Sequence, residues 1–497
     1  MRIIHSVTLA ILLILGSFIN PAWAGQSEER LNYYASGKGY PDAARERTQK
    51  FQNYKFGMMV HWGLYSIAAG KWKDTILEHK YSEWLQYGMD LSVAEYKTLM
   101  GEFNPRGFDA DEWMRLVKDT GMKYFVITAK HHDGFSLYDT AVDEYDVAAT
   151  PFQRDPLAEL KKSADKYGIA FGLYYSQSHE WFHPHGDILK KPEEKRRVFH
   201  PSLPDGFTAN IDKFLIEKSI PQIVELMVRY KPFMFWFDTP ISMSPERSFA
   251  IGRIVRAINP DTVISSRLVI GSGTIMKILK GEELPPRMEI TGEVPNQWYP
   301  GYENIIDFLE MRDKRLPEQI INVPFETSDS VSSSYAHRAY GKNEYHSGKE
   351  LVERMVRVIG RGGNYLLNVG PDGEGRIPPP TKRLLRFIGN WMKINGSAIH
   401  DTVGAPFGTI QEWGEMTYNP KTKMLYLLVI NPPENKQLKI VGLKSKILSA
   451  KILGTRTKIK TKQRGGSASI RLGKQFEADE NVKVIALQLQ KPLVIKK

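Results

Sequence analysis

Hydrophobic and polar positions follow a repeating order along this chain: a short apolar run, an abrupt polar ending, then a stretch of helical periodicity. The run at 124–129 (YFVITA) has the length of a buried strand and breaks into Lys130, His131, His132 and Asp133, with Gly134 to turn the backbone. Further runs lie at 54–67, which carries His61 and Trp62, and at 169–176, which empties into Gln177, His179, Glu180 and Trp181. Others end on Asp238 (233–238) and on Arg267 (262–267), and the last, 364–370, stops before Pro371. Between them, 109–121 reads as a helix, with an acidic first turn, Trp113, Leu116 and Val117 on one face, and Gly121 as a stop. Asp155 and Pro156 supply an N-cap and a first helical residue for another helix, which Gly168 ends. The span 213–230 is amphipathic at helical spacing with Pro221 interrupting it, and the charged stretch 190–197 reads as a surface insertion.

Strands that alternate with helices predict a parallel sheet. More than four such units over roughly 350 residues favour a closed (β/α)8-type barrel over an open doubly wound sheet. In a barrel of this kind the residues just past the C-terminal end of each strand line one face, so the polar endings predict a single pocket. Glu83 and Trp84, in SEWLQYG, lie on a loop or short helix beside it. Past Thr402 the pattern changes to short alternating runs at 424–430, 446–452 and 482–489, separated by Asn-Pro-Pro, Gly and charged turns. These predict a C-terminal antiparallel β-sandwich. The expected organisation is a signal peptide at 1–24, a barrel at 25–402 and a sandwich at 403–497.

Composition narrows the setting. Arg2, the apolar run at 7–15 and Ala22-Trp23-Ala24 have the order of a secretory signal cleaved near Gly25, which predicts an exported protein of a bacterial periplasm or extracellular space. No later segment is apolar and long enough for a membrane-spanning helix, so no stable membrane insertion is expected after cleavage. The chain has no cysteine, which excludes thiolate catalysis and cysteine metal sites. Its formal net charge is +12, and residues 403–497 hold 18 Lys and Arg against 6 Asp and Glu, so the whole excess lies in the tail. A basic tail favours an acidic partner such as an anionic polysaccharide or a membrane surface, and is equally compatible with a solvated face. Nothing resembles a nucleic-acid-binding motif, and no glycine-rich nucleotide loop follows any strand.

Asp238 is the strongest candidate for chemistry. It ends an apolar strand on the same face as Trp236, and an acid beside an indole suits a sugar ring, whose C–H face stacks while its hydroxyls bond to charged groups. Arg267, ending the next strand, can hold an aspartate ionised. A metal-dependent barrel hydrolase is an alternative, with His131, His132 and Asp133 as ligands. Against it, adjacent histidines at a strand end are expected to point in opposite directions, and His131 and His132 stand in neither the His-x-His nor the His-x-x-x-His spacing of zinc ligands.

Five motifs stand in order: KFGMMVHWGLYS, YFVITAKHHDGF, FGLYYSQSHEW, FWFD and GGNYLLNVGPDGEGRIP. Together they resemble the retaining α-L-fucosidases of glycoside hydrolase family 29, over roughly residues 54–402. The resemblance implies a (β/α) barrel followed by a β-sandwich, and exo-hydrolysis of terminal α-L-fucosides by double displacement with no metal or other cofactor. The implied partner is a fucosylated oligo- or polysaccharide. By the same resemblance Asp238 matches the nucleophile, and His61, Glu83, Trp84, His131, His132, Tyr174, Trp236 and Arg267 match fucose-binding positions. Tyr335 stands where the family usually has Trp or Phe near the sugar, and Phe325-Glu326-Thr327 resembles its Trp-Glu-Thr. The acid/base glutamate of many members lies after the arginine strand in a Thr-x-Glu setting, which Glu293 in TGEVP fits best, with Glu289 as its rival. A long insertion at about 300–321 and His400 in place of the usual Tyr depart from the pattern. A non-catalytic fucose-binding protein on the same fold is the second alternative.

Overall fold

The computed structural model describes residues 42–269, 305–476 and 481–495. The expected signal at 1–24 and both acid/base candidates, Glu289 and Glu293, lie outside the described residues.

Eight parallel strands form one sheet: β1 (Phe56–Val60), β2 (Tyr124–Lys130), β3 (Ala170–Ser176), β4 (Met234–Asp238), β5 (Val263–Ile264), β6 (Leu309–Glu310), β7 (Phe325–Ser330) and β8 (Asn364–Val369). Their order runs β5-β4-β3-β2-β1-β8-β7-β6, with every pairing parallel. The two end strands meet as well. Ser265 and Phe308 form a parallel bridge, the Asp307 N–H donates to the Ile264 carbonyl, and the Ser266 N–H donates to the Phe308 carbonyl, both at 2.9 Å. The sheet therefore closes into a ring, which removes its edges.

Helices α1 (Asp42–Tyr54), α2 (Ala110–Asp119), α3 (Pro156–Tyr167), α4 (Pro192–Phe199), α5 (Ile220–Tyr230), α6 (Pro245–Ile258), α7 (Gly348–Gly360) and α8 (Pro379–Asn395) complete the layer around it. Their ends follow the sequence signals. Asp109 and Asp155 cap α2 and α3 by accepting N–H bonds from Glu112 and Ala158, and Gly168 ends α3 at φ 69°. Pro221 does not break its helix: a π-helical turn, Leu215–Ser219, precedes α5 and absorbs the ladder position that proline cannot fill. The charged stretch at 190–197 is not a mere surface insertion. It forms most of α4, where Lys195 and Arg196 are buried, and the Lys195 ammonium reaches the Tyr87 carbonyl at 2.8 Å and pairs with Asp90.

Inside the ring, Met59, Tyr124, Val126, Tyr174, Met234, Trp236 and Leu366 pack with Phe51 and Phe308. Gly57 on β1 makes room for this filling, since a Cβ there would meet the Tyr124 ring at 2.5 Å. Two carboxyl groups, Glu310 and Glu326, are wholly buried among these side chains. Glu326 accepts from the Tyr124 hydroxyl (2.5 Å) and the Trp236 indole N–H (3.1 Å), which fixes the indole from below. Burial, with the charge of Glu326 beside it, holds the Glu310 carboxyl well above the usual carboxylate range.

Beyond the barrel, β9 (Val403–Gly404), β10 (Gly414–Asn419), β11 (Met424–Val429), β12 (Gln437–Val441), β13 (Ile447–Ile452), β14 (Thr461–Arg464), β15 (Ser467–Arg471) and β16 (Lys483–Leu489) make two antiparallel sheets. One is ordered β9-β10-β11-β16-β13 and the other β12-β15-β14. Strand β11 is apolar on both faces for a reason. Leu425, Leu427 and Val429 enter the sandwich core, while Tyr426 and Leu428 join the core of the barrel helices. An Arg361–Glu415 ion pair (3.0 Å) and a Trp391 indole N–H to the Val482 carbonyl (2.8 Å) fasten the two parts.

Candidate active site

At the C-terminal ends of the barrel strands a cavity of about 390 Å³ opens, lined by His61, Glu83, Trp84, His131, His132, Tyr174, Trp236, Asp238, Arg267 and Tyr335. Every site residue expected from the sequence within the described residues is thus brought to one cavity. The volume lies within the range for small-molecule sites.

Asp238, the last residue of β4, takes hydrogen bonds from three donors. Its Oδ1 accepts from Arg267 Nη1 and from the Thr239 N–H, each at 2.8 Å, and its Oδ2 accepts from the Tyr174 hydroxyl at 2.6 Å. Its own N–H donates to Gln177 Oε1 at 2.9 Å. Arg267 is fixed in turn: its guanidinium lies 4.9 Å from the Trp236 ring centroid, and Nη2 donates to the Met311 carbonyl (3.1 Å) and pairs with Asp313. Burial works against the guanidinium charge, but Asp313 and Asp238 outweigh it and keep Arg267 fully protonated. Tyr174 stacks on Trp236 at 5.3 Å, so the carboxylate stands beside two aromatic rings.

The histidines are neutral. Burial and the neighbouring imidazoles push His131 well down, and burial with His179 and Lys130 does the same to His132. The approach of His132 Nε2 to Asp238 Oδ2 at 3.8 Å is accordingly not an ion pair. Their tautomers follow from the network. Ser176 donates its hydroxyl to the His179 carbonyl (2.6 Å), so its oxygen accepts from His132 Nδ1–H at 2.7 Å. Asn368 donates to the Tyr335 carbonyl, so its carbonyl oxygen, 2.7 Å from His61 Nδ1, accepts from it. Both rings are left with Nε2 as an acceptor. His131 Nδ1 is buried and has no partner among the described residues, although a hydroxyl-bearing ligand would supply one.

Contrary to the expectation for adjacent histidines, both line the cavity, with ring centroids 4.0 Å apart. They follow Lys130, the last residue of β2, in a turn where the strand alternation no longer holds. Asp133 does turn away: its carboxylate accepts from the buried Tyr96 hydroxyl at 2.9 Å. Among the described residues no group of three His, Asp or Glu is arranged to hold a metal ion.

Glu83 is buried and accepts the Ala336 N–H at 2.9 Å, which ties it to the segment that carries Tyr335. Trp84 packs edge-on to His132 at 5.4 Å. His400 lies away from the cavity, with its ring nitrogens 2.8 and 2.9 Å from the Tyr54 and Gly121 carbonyls, a packing role. Sequence reasoning missed Tyr81, Leu189, Ser328 and Asp313, which also line the cavity. Tyr81 is next to the SEW motif and could have been found by adjacency, whereas Asp313 sits within the insertion at 300–321 and carries no motif.

A family model described as Alpha-L-fucosidase matches residues 26–397. Human plasma alpha-L-fucosidase is 28% identical over 435 residues, covering 83% of this chain and 82% of its own length. The crystal structure of alpha-L-fucosidase from Vibrio sp. strain EJY3 superposes with a TM-score of 0.77 at 29% identity, covering 92% of this chain and 75% of that one. An alpha-L-fucosidase from Bacteroides thetaiotaomicron, caught as a trapped covalent intermediate with 2-fluoro-fucosyl fluoride, superposes with a TM-score of 0.74 at 25% identity, covering 90% of this chain and 96% of that one. With the family model spanning most of the sequence, this chain belongs to the alpha-L-fucosidase family, glycoside hydrolase family 29.

Proposed function

We propose that this protein is an exo-acting, retaining α-L-fucosidase that removes terminal α-L-fucosyl residues from a fucosylated oligo- or polysaccharide, with Asp238 as the nucleophile. The observation that carries the reading is the setting of Asp238: a carboxylate held by Arg267, Tyr174 and the Thr239 N–H on the wall of a cavity of about 390 Å³. Around it, the Nε2 acceptors of His61 and His132, the unpartnered Nδ1 of His131 and the Glu83 carboxylate offer several points at which sugar hydroxyls can be read. Trp84, Tyr174, Trp236 and Tyr335 supply faces for the C–H groups and the methyl of a deoxysugar. The family resemblance offers Glu293, with Glu289 as its rival, as proton donor.

The relatives support fucose as the sugar, and the basic tail supports an anionic glycan as its carrier. The signal pattern supports export, and no helix among the described residues is long and apolar enough to cross a membrane. Incubation with an aryl α-L-fucoside, followed by proton NMR, tests the reading. The first-formed sugar is expected to be α-L-fucose, at a rate unchanged by chelator. Release of the β-anomer would point to inversion, loss of activity in chelator to a metal enzyme, and fucose binding without turnover to a lectin.

A further inference from the structure

The cavity holds a carboxyl group that the family motifs do not assign. Among the described lining residues there are three carboxylates: Asp238, Glu83 and Asp313. Glu83 is 2% exposed and accepts from the Ala336 N–H and the Ser334 hydroxyl, both at Oε2, which suits a fixed acceptor for a sugar hydroxyl. Asp313 differs. Its side chain is 38% exposed against 11% for Asp238, so it has the freer access to water, which an acid/base must exchange protons with.

Both aspartates sit on one guanidinium. Asp238 Oδ1 meets Arg267 Nη1 at 2.8 Å, and Asp313 Oδ1 meets Arg267 Nη2. Contact with the two Nη atoms of one planar fork makes the carboxyl groups neighbours, as double displacement requires of a pair that retaining glycosidases hold about 5–5.5 Å apart. The segment bearing Asp313 is itself fixed. The neighbouring Lys314 ammonium donates to the Ser332 and Ser333 carbonyls at 3.0 and 2.6 Å and lies over the Tyr81 and Tyr335 rings at 5.0 and 4.5 Å.

We infer that Asp313, rather than a glutamate of the 280s or 290s, is the acid/base of this enzyme. The inference rests on the fucosidase reading given above. In the first step protonated Asp313 gives its proton to the glycosidic oxygen, the C1–O bond breaks, and Asp238 forms an ester to C1. In the second, Asp313 takes a proton from water, the resulting hydroxyl adds to C1, and the ester to Asp238 breaks. Charge is conserved within the trio at every stage. Before the first step Asp313 takes up a proton from solvent, which leaves Arg267 to balance ionised Asp238; in the ester intermediate the guanidinium balances ionised Asp313, so the negative charge crosses one guanidinium without leaving it. An acid/base that hands over its proton while the adjacent nucleophile loses its charge is what double displacement requires.

The test compares Asp313→Ala and the isosteric Asp313→Asn with wild type on phenyl and 2,4-dinitrophenyl α-L-fucosides, with and without azide. Both variants are expected to lose about 10²–10⁴-fold in kcat/KM on the phenyl fucoside and less than about tenfold on the dinitrophenyl fucoside, whose leaving group needs no proton. Azide should speed turnover of the dinitrophenyl fucoside and yield α-L-fucosyl azide, because it attacks the ester from the side that water uses. Equal losses on both substrates without an azide product would reduce Asp313 to a positioning residue for Arg267 and overturn the inference. So would unchanged activity, or the same signature in Glu293→Ala or Glu289→Ala. Failure of the wild type to hydrolyse either fucoside would instead refute the fucosidase reading itself.

Discussion

Replacing Asp238 with glycine is expected to lower kcat for an aryl α-L-fucoside by at least about 10⁴-fold, since loss of a covalent nucleophile removes the pathway rather than tuning it. The protein should still fold. Asp238 is one of two carboxylates on Arg267, and Asp313 remains to pair the guanidinium, so the substitution strands no buried charge. The Tyr174 hydroxyl loses an acceptor in a cavity that water enters. Azide fits the space left by the carboxylate and attacks the face that Asp238 would have attacked, so rescue should give β-L-fucosyl azide, the opposite anomer to that expected from the Asp313 variants. Circular dichroism and thermal unfolding close to wild type, with turnover abolished, complete the expected result. Turnover at the wild-type rate would remove Asp238 from the mechanism.

The second large effect falls on stability. Behind the histidine turn, Glu180 is fully buried and pairs with Lys130 on one side and with Lys218, at 3.0 Å, on the other. Lys218 also meets Asp143 at 2.9 Å and donates to the Gly134 carbonyl at 3.1 Å, so the network grips the turn that carries His131 and His132. Burial alone would raise the Glu180 carboxyl, but the two ammonium groups prevail and take it down to about 2. Glu180→Leu leaves Lys130 buried without its counter-charge, which costs about 3–5 kcal/mol. Chemical denaturation should therefore show a large drop in midpoint for Glu180→Leu, with much of it recovered when Lys130→Met is added. A loss below about 1 kcal/mol would mean that the lysines find other partners.

The sign of the pH dependence follows from the same shift. The folded carboxyl lies below its unfolded value, so its contribution is complete above the ordinary carboxylate range and is lost as pH falls toward about 2. Wild-type stability should decline over that window more steeply than that of the double variant.

Much of this was legible in the sequence because local signals and tertiary demands agree. Asp155, Pro156 and Gly168 bound a helix that the barrel also needs, and the run at 233–238 places Asp238 at the end of β4, whereas the run at 262–267 is a strand only over Val263–Ile264 and Arg267 sits in the short helical turn that follows, Ser266–Leu268. Glu180 shows a limit of such reading. It follows a strand like the cavity residues do, yet it faces two lysines from distant segments, and no periodicity foretells a pairing across 50 residues to Lys130. The stretch at 190–197 misled for a related reason: its charges suggest solvent, while Lys195 and Arg196 are buried by partners on other elements. His131 and His132 share the cavity because the chain turns after Lys130, where strand alternation ceases to apply. Asp313 was invisible for want of a motif, and only closure of the ring between β5 and β6 brings it to Arg267.

The central claim is that Asp238 forms a covalent bond to the sugar. Inactivation with 2-deoxy-2-fluoro-α-L-fucosyl fluoride, followed by proteolysis and mass spectrometry, tests it most directly, because the fluorine slows both steps and the good leaving group lets the ester accumulate. One 2-deoxy-2-fluorofucosyl group on the peptide that contains Asp238, fragmenting to that residue, is the predicted result. A label on Asp313, Glu83 or any other side chain would contradict the account.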